Sequence, residues 1–452
     1  MRQGFEMDES PAQVSQAELI GALSHALDLT EGQPPGHCLR CGFVGTQLGS
    51  RLGLAGDDAH DLFCTLLLKD LGCSSNAARI AQLYATDDRA FKRQFKRVGD
   101  GLSSRVRFMM GQAAPGAPWP QRVGTFVRAV RVGEAFAREV MEARCQRGAG
   151  IARSLGFSES VARGIYSLDE HHDGGGMPDA LAGDEIPLYA RIALLAQVVE
   201  VFHASGGPDA AREEVQHRGG SWFDPDLVAA FLDLAADGEF WQALASPELP
   251  ARVLELPAAR AEQPAGEDML DRIALGFAQV VDAKSPFTLG HSERVAEYAD
   301  RVAEQMGLSA PERRWFRRGA LLHDIGKLAV SNRILDKPGR PTEAEWAAIK
   351  AHPVHTEEIL ARIGPTMRVL ARMAGAHHER LDGRGYPRGL SGEQISLPTR
   401  ILTVADVYDA LTAERPYRPA LSTEQALTIM AADLDLALDR ECFSALREVV
   451  CA

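Results

Sequence analysis

The amino-acid sequence predicts a mainly α protein built from two tandem, all-helical domains. Three observations lead there: apolar stripes at helical spacing, few alternating strand patterns, and an internal repeat whose pieces recur in one order. The 452 residues exceed what one ordinary hydrophobic core organises. A hydrophobic content of 45% beside 25% charged residues is the balance of a globular chain.

The helical signal is clearest over Ser292–Met306, where Val295, Ala299, Val302 and Met306 fall on one stripe. Segments 343–363, 366–377 and 398–413 also read as helices. Residues 256–267 (LPAARAEQPAGE) are rich in Ala, Pro and charge without an apolar period, which marks a linker between a domain at 1–255 and another at 268–452. Four matches then relate the two halves. Gly36–Arg40 echoes Gly290–Arg294, and Leu66–Gly72 echoes Leu321–Gly326. Glu170–Pro178 (EHHDGGGMP) echoes His377–Pro387 (HHERLDGRGYP) with a short deletion, and Gly183–Ala196 echoes Gly392–Ala405.

Composition excludes several classes. A formal net charge of -13 argues against DNA or RNA as partner, because sequence-independent binding neutralises phosphates with clustered Lys and Arg. No apolar run approaches the roughly 18 residues of a membrane span. The acidic, polar N-terminus lacks the pattern of a signal peptide. These features lead us to expect a cytoplasmic protein with no membrane partner. The 7 cysteines are odd in number and irregularly spaced, so they form no disulfide framework. Cys38 and Cys41 make a lone CxxC, read as buried thiols in preference to a zinc site. Segment 85–140 is locally basic, with Lys92, Arg93, Lys96, Arg97, Arg105, Arg107, Arg122, Arg128 and Arg131; such a run reads first as a solvated helix face.

The chemistry concentrates in the second half. His323-Asp324 ends an apolar stretch and offers one nitrogen and up to two oxygens at one point, and a carboxylate can bridge two ions. Lys327 follows His323 by four residues and would share its face on a continuous helix, placing a cation where a phosphate oxygen could be neutralised. His291 lies on the core-facing stripe, and His352 lies inside a helical run. His377-His378 is a vicinal pair before the turn Asp382–Pro387. Asp406 interrupts an apolar helix. Singly, each reads as an ordinary core or surface residue. Together, five His and two Asp on separate helices are more economically explained as a metal pair held inside a helical bundle. Imidazole and carboxylate donors without Cys suit iron, manganese or zinc. Two such ions suit phosphoester hydrolysis.

These pieces resemble the HD-GYP family of the HD phosphohydrolases. The matching motifs are GHSERV (290–295), HDIGK (323–327), KAHP (350–353), HHERLDGRGYP (377–387), RILTVADVYDAL (400–411) and RPYR (415–418). The resemblance implies an all-helical HD-type domain that hydrolyses a cyclic dinucleotide, usually cyclic di-GMP. It implies His291, His323, Asp324, His352, His377, His378 and Asp406 as ligands to two divalent metal ions, with Asp324 bridging and catalytic and Lys327 assisting at the phosphate. Iron or manganese comes first, with zinc, magnesium or nickel as alternatives. Arg415 and Arg418 match positions that hold substrate phosphates, and Gly385, Tyr386 and Pro387 would shape the pocket. Some members ligate a third metal through a carboxylate four residues before the first His. Phe287 stands there, so two ions are expected. Thr356, with His355 beside it, replaces a usual Gly.

By the same alignment the first copy is degenerate and non-catalytic. Lys69 replaces His323, Arg144 replaces His352 and Gln197 replaces Asp406, while His37, Asp70, His171 and His172 remain. Cations stand where metals would sit. The roles left for this half are packing or homodimerisation, ahead of nucleotide sensing. A sister activity on 3',3'-cyclic GMP-AMP, an HD-type hydrolase of linear nucleotides, and a vestigial module that docks a signalling partner complete the alternatives.

Overall fold

The computed structural model describes residues 15–99, 101–259, 266–364, 367–414 and 418–451. Among them there is no strand, only four isolated β-bridges, and the chain divides into compact units Ser15–Pro264 and Ala265–Ala452.

In the second unit the central pair is His291–Gln305 and Leu397–Thr412, which pack together and on Arg440–Cys451, with Ala310–Leu322 against the first of them. The His291 helix buries Val295, Ala299 and Val302 completely, as its stripe predicts. It starts at Gly290, whose φ of 70° is a left-handed conformation that favours glycine. Its first free amides would be orphaned in the core, and Asp282 accepts from Ser292 N at 3.0 Å and Ser292 Oγ at 2.7 Å. Ala310–Leu322 starts on a Ser309/Glu312 capping box with Pro311 in its first turn.

Two of the helical expectations are corrected. Segment 343–363 is two helices, Glu343–Lys350 and His352–Ala361, so His352 opens a helix instead of lying within one. The helix before the His-Asp pair stops at Leu322, and Ile325–Ala329 is a 3-10 turn. Lys327 therefore does not share a helix face with His323. The break has a cause in packing. Gly326 passes so close to the next helix start that a Cβ there would lie 1.9 Å from the His352 carbonyl oxygen. Thr356 Oγ fastens the crossing, donating to His323 O at 2.9 Å and accepting from Gly326 N at 3.0 Å. Thr356 is thus a bolt across the turn, and His355 points away to Glu358.

The first unit repeats these devices. His37–Arg51 starts on Gly36 at φ 83°, Asp28 accepts from Cys38 N at 2.9 Å, and a Cβ on Gly72 would lie 2.0 Å from Arg144 O. The longest apolar helix, Leu188–His217, is broken by non-helical Gly207. Among the described residues it is the one helix long and apolar enough to cross a membrane by length and composition, and 61% of its apolar window is buried inside the unit.

Candidate metal centre

Three helices and two turns of the second unit deliver the predicted donors to one buried point. His291 and Asp406 come from the paired central helices. His323 and Asp324 come from the turn after Leu322, His352 from a helix start, and His377-His378 from the segment after Arg368–Ala374. Asp324 lies at the middle. Its Oδ2 is 3.4 Å from both His291 Nε2 and His323 Nε2, while its Oδ1 is 3.3 Å from His352 Nε2 and 3.7 Å from His377 Nε2. Asp406 Oδ1 closes the first side, 3.4 Å from His291 Nε2 and 3.9 Å from His323 Nε2. His352, His377 and His378 form the second side. The carboxylate thus faces two donor groups, one with each oxygen.

The donors fit divalent ions on three counts. Ligand bonds of roughly 2.0–2.2 Å put neighbouring donors of a tetrahedral or octahedral shell about 3.0–3.5 Å apart, close to the spacings above. The outward ring nitrogens are already engaged: Nδ1 of His323, His352 and His377 meets the carbonyls of Ala320, Ile349 and Ala374 at 2.7, 2.7 and 2.6 Å. Those carbonyls only accept, so Nδ1 donates and the Nε2 lone pair is left facing inward. Finally, Nε2 of His291 and His323 and Oδ1 of Asp324 are buried without a hydrogen-bond partner, a costly arrangement unless another group binds there.

Electrostatics agrees with a site built to be shared with cations. Burial pushes Asp324 up, but Lys327 and His323 outweigh it and hold the carboxyl well below the usual range. Burial also opposes ionisation of Asp406, which His291 and His323 hold low. Burial pushes His378 down to about 3, with His352 adding to the effect, and keeps the imidazole neutral as ligation requires. Lys327 Nζ pairs with Asp324 Oδ2, so its ammonium sits at the central carboxylate even though the helix expected for it is absent.

Sequence reasoning missed Asp409 and Asp282. Asp409 Oδ2 takes the fourth Nδ1, that of His291, at 2.6 Å, and its Oδ1 accepts from Arg294 Nε at 2.6 Å. It lies one helical turn after Asp406, so spacing on that helix was the available signal. Asp282, pushed up to about 6 by burial against the opposing pull of Ser292, offered no signal beyond its charge.

The loop residues are placed as follows. Glu379 accepts from Arg388 N and Leu390 N at 2.7 and 2.9 Å, folding Gly383–Pro387 back so that Tyr386 N reaches His378 O. Gly385 passes against that backbone, a Cβ there lying 2.5 Å from Arg380 N, and Pro387 follows Tyr386 through a cis bond. The Tyr386 ring lies 4.8 Å from that of His378. Arg418, expected at a substrate phosphate, donates its guanidinium to Ala410 O and Leu411 O at 2.8 and 2.9 Å, at the end of the Asp406 helix. Arg415 lies outside the described residues. Phe287 lines a cavity of about 740 Å³ with Arg294, Tyr298, Tyr408, Asp409 and Glu414.

The first unit corrects the alignment. Glu170 accepts from Asp179 N and Leu181 N, nine and eleven residues on, as Glu379 does from Arg388 and Leu390. The bridges Asp173–Ala182 and Asp382–Ser391 keep the same register. There is no deletion: His171 and His172 correspond to Arg380 and Leu381, and the ligand positions hold Leu168 and Asp169. His171 stacks on Trp222 instead, 4.1 Å between centroids. Of the ligand set, His37 and Asp70 survive. Lys69 Nζ pairs with Asp70 and lies 3.3 Å from His37 Nε2, Arg144 pairs with Asp169, and Glu200 takes Nδ1 of His37. Lys92 and Lys96 leave the solvated face expected of them and reach inward to Glu31 at 3.4 and 3.1 Å. Two donor groups, His37–Cys41–Glu200 and Glu31–Asp70–Cys73, could hold an ion by spacing, but each already has an ammonium beside it. Cys38 and Cys41 are buried and unbridged.

Comparison with known proteins places this arrangement. The family model described as "HD domain" matches residues 118–227 and 277–442. The chain is 52% identical to 3'3'-cGAMP-specific phosphodiesterase 3 of Vibrio cholerae serotype O1, over 96% of this chain and 94% of that protein. It is 42% identical to a cyclic di-GMP phosphodiesterase response regulator of Xanthomonas campestris, over 38% of this chain and 45% of that protein. Among solved structures, a cyclic GMP-AMP specific phosphodiesterase of V. cholerae superposes with a TM-score of 0.66 at 46% identity, covering 97% of this chain and 98% of that one.

Proposed function

This chain belongs to the HD-GYP family, and from that premise we propose that it hydrolyses a cyclic dinucleotide, 3',3'-cyclic GMP-AMP in preference to cyclic di-GMP. It is a phosphoric diester hydrolase. The order of substrates reverses the sequence-based expectation. The observation that carries it is similarity along nearly the whole chain to a cGAMP-specific enzyme, whereas cyclic di-GMP relatives match between 35% and 56% of it.

The reaction follows from the residues. Two divalent ions, when bound, supply Lewis acidity and a hydroxide at neutral pH. His291, His323 and Asp406 would hold one of them and His352, His377 and His378 the other, with one oxygen of Asp324 toward each. The Lys327 ammonium, already beside Asp324, would neutralise charge that grows on a phosphate oxygen during attack. Nδ1 contacts on four of the five imidazoles hold the rings in place, so little reorganisation accompanies the reaction. Phe287 offers no third carboxylate, which supports two ions over three.

The catalytic domain is assigned to 268–452. The first domain, 1–255, is assigned a packing or dimerisation role. Around the vacated ligand positions Lys96, Lys69, Arg144 and Arg40 pair with Glu31, Asp70, Asp169 and Glu200, which speaks against an anion sensor there. The test is turnover of both dinucleotides by reduced protein loaded with Mn(II) or Fe(II), beside Asp324→Ala. Higher kcat/KM for the mixed dinucleotide, lost in the variant, is expected. Faster cyclic di-GMP turnover would reverse the substrate order again. No turnover at full metal occupancy would sink the reading.

A further inference from the structure

Helix Glu343–Lys350 is unusual in the second unit in burying none of its residues. It is held at its N-terminal end. Thr342 and Glu345 form a capping box, and Lys337 Nζ donates to Glu345 Oε2 at 2.6 Å. A helix so placed gains little from an apolar side chain, yet it carries Trp346, 44% exposed. Leaving much of an indole in water forfeits part of what burying a large apolar side chain contributes. The ring does not project at random. It lies edge-on to Tyr386, 6.1 Å between centroids at 74°. Tyr386 in turn lies 4.8 Å from the ring of His378, and His378 lies 5.0 Å from His352. An aromatic wall therefore rises from the buried donor cluster to solvent, with Trp346 at its top.

The wall has the order that a nucleotide would read from the metal outward. The donors at its foot suit a phosphodiester, and a nucleobase is the part of the substrate that extends from the phosphate through the ribose. The indole, 44% exposed, then stands where a planar ring can reach it. We infer that Trp346 is a substrate-binding residue, the platform on which one purine base of the cyclic dinucleotide stacks while its phosphodiester lies at the metal cluster. The inference rests on the cyclic-dinucleotide reading above. Stacking is sequence-tolerant because every base has a π-face, so Trp346 binds adenine and guanine alike and does not choose between the two dinucleotides. The plainer alternative is that Trp346 only props the Tyr386 loop. That role would affect every diester equally.

The test compares Trp346→Ala and Trp346→Phe with wild type in the metal-loaded full chain. Three substrates are used: cyclic GMP-AMP, cyclic di-GMP, and bis(4-nitrophenyl) phosphate as a small diester without nucleobases. Loss of one base stack should raise KM for both dinucleotides about tenfold in Trp346→Ala. In that variant kcat and the ratio of the two kcat/KM values stay within about twofold, and bis(4-nitrophenyl) phosphate turnover is unchanged. Trp346→Phe should restore most of the loss. An unchanged KM overturns the assignment. So does an equal loss with bis(4-nitrophenyl) phosphate, which would make Trp346 a prop, and so does a changed ratio, which would mean edge recognition. Wild-type protein that turns over bis(4-nitrophenyl) phosphate but neither dinucleotide overturns the parent reading, and this one with it.

Discussion

Replacing Asp409 by Asn isolates the effect of one proton on the metal centre. Asp409 accepts from His291 Nδ1 with one oxygen and from Arg294 Nε with the other, each at 2.6 Å. A carboxylate cannot donate, so a proton is held on Nδ1, and Nε2 is the nitrogen turned toward Asp324 and Asp406, 3.4 Å from each, where a metal would bind. Asparagine keeps the shape but must turn its NH2 toward one partner. Arg294 has only donors, so the amide oxygen goes to Arg294 and the NH2 to His291. Nδ1 then has to accept, and the proton moves to Nε2, the atom that should ligate. Loss of such a partner weakens metal binding about 10–100-fold. At 1.36 kcal/mol per decade this is about 1.4–2.7 kcal/mol. Competition with a chromophoric chelator would read affinity and stoichiometry together. One weakened ion of two, with the His352 side intact, is expected. Asp409→Glu should keep most of the affinity, because Glu200 makes the same two contacts with His37 and Arg40 in the first unit. Wild-type affinity in Asp409→Asn, or equal losses in both variants, would refute the tautomer argument.

Three further outcomes follow from the same geometry. Gly326→Ala puts a Cβ 1.9 Å from His352 O and 2.7 Å from Thr356 N, both backbone atoms, so the helix start must move; a loss of about 1–3 kcal/mol of stability and reduced metal content by elemental analysis are expected, and an unchanged content would contradict it. Chelator treatment should lower the calorimetric transition of the second unit and leave that of the first in place, because an ammonium stands in the first unit's ligand cluster; Lys69→Met should instead cost the first unit up to about 3 kcal/mol, because buried Asp70 loses its nearest cation and keeps only Lys96 at 3.7 Å and Arg144 at 3.8 Å. In acid, Glu31 and Glu200 matter most. Burial favours their neutral forms, but Lys96 and Lys92, and His37 and Arg40, bring them down to about 2 from the usual 4.5. Each folded-state pKa is below its unfolded value, so each contributes about 3 kcal/mol that is complete above pH 4.5 and lost as pH falls through 2. Circular dichroism against pH should show this acid transition, and Lys96→Met should move it to higher pH; a transition that stays put would reject the ion-pair account.

The donor set was legible because ligation chemistry restricts residue type, and five His and two Asp on apolar faces have few other uses. The helices were legible where a stripe repeats, as over Val295, Ala299 and Val302. What stayed hidden depends on a second segment of chain. The break after Leu322 comes from the approach of Gly326 to His352 O and the Thr356 bolt, which no local period records. Lys92 and Lys96 have the composition of a solvated face, and only the position of Glu31 turns them inward. The His171-His172 pair is the instructive case. Sequence matching rewards identity and set these residues against His377-His378, while the fold is aligned by Glu170 and Glu379, two carboxylates each holding a pair of loop amides. Buried amides must be satisfied in both copies, whereas ligands are needed only where a metal is held. The first unit accordingly has the loop-holding glutamate, Glu170, where the two histidines of the second unit are matched by Leu168 and Asp169. In such chains the register should be taken from the residues that satisfy the backbone, and the surviving ligands counted afterwards. Counted that way, the first unit keeps His37 and Asp70 alone, beside an ammonium from Lys69 that already pairs with the carboxylate, and the case for a single metal centre in this protein becomes stronger than the motifs alone made it.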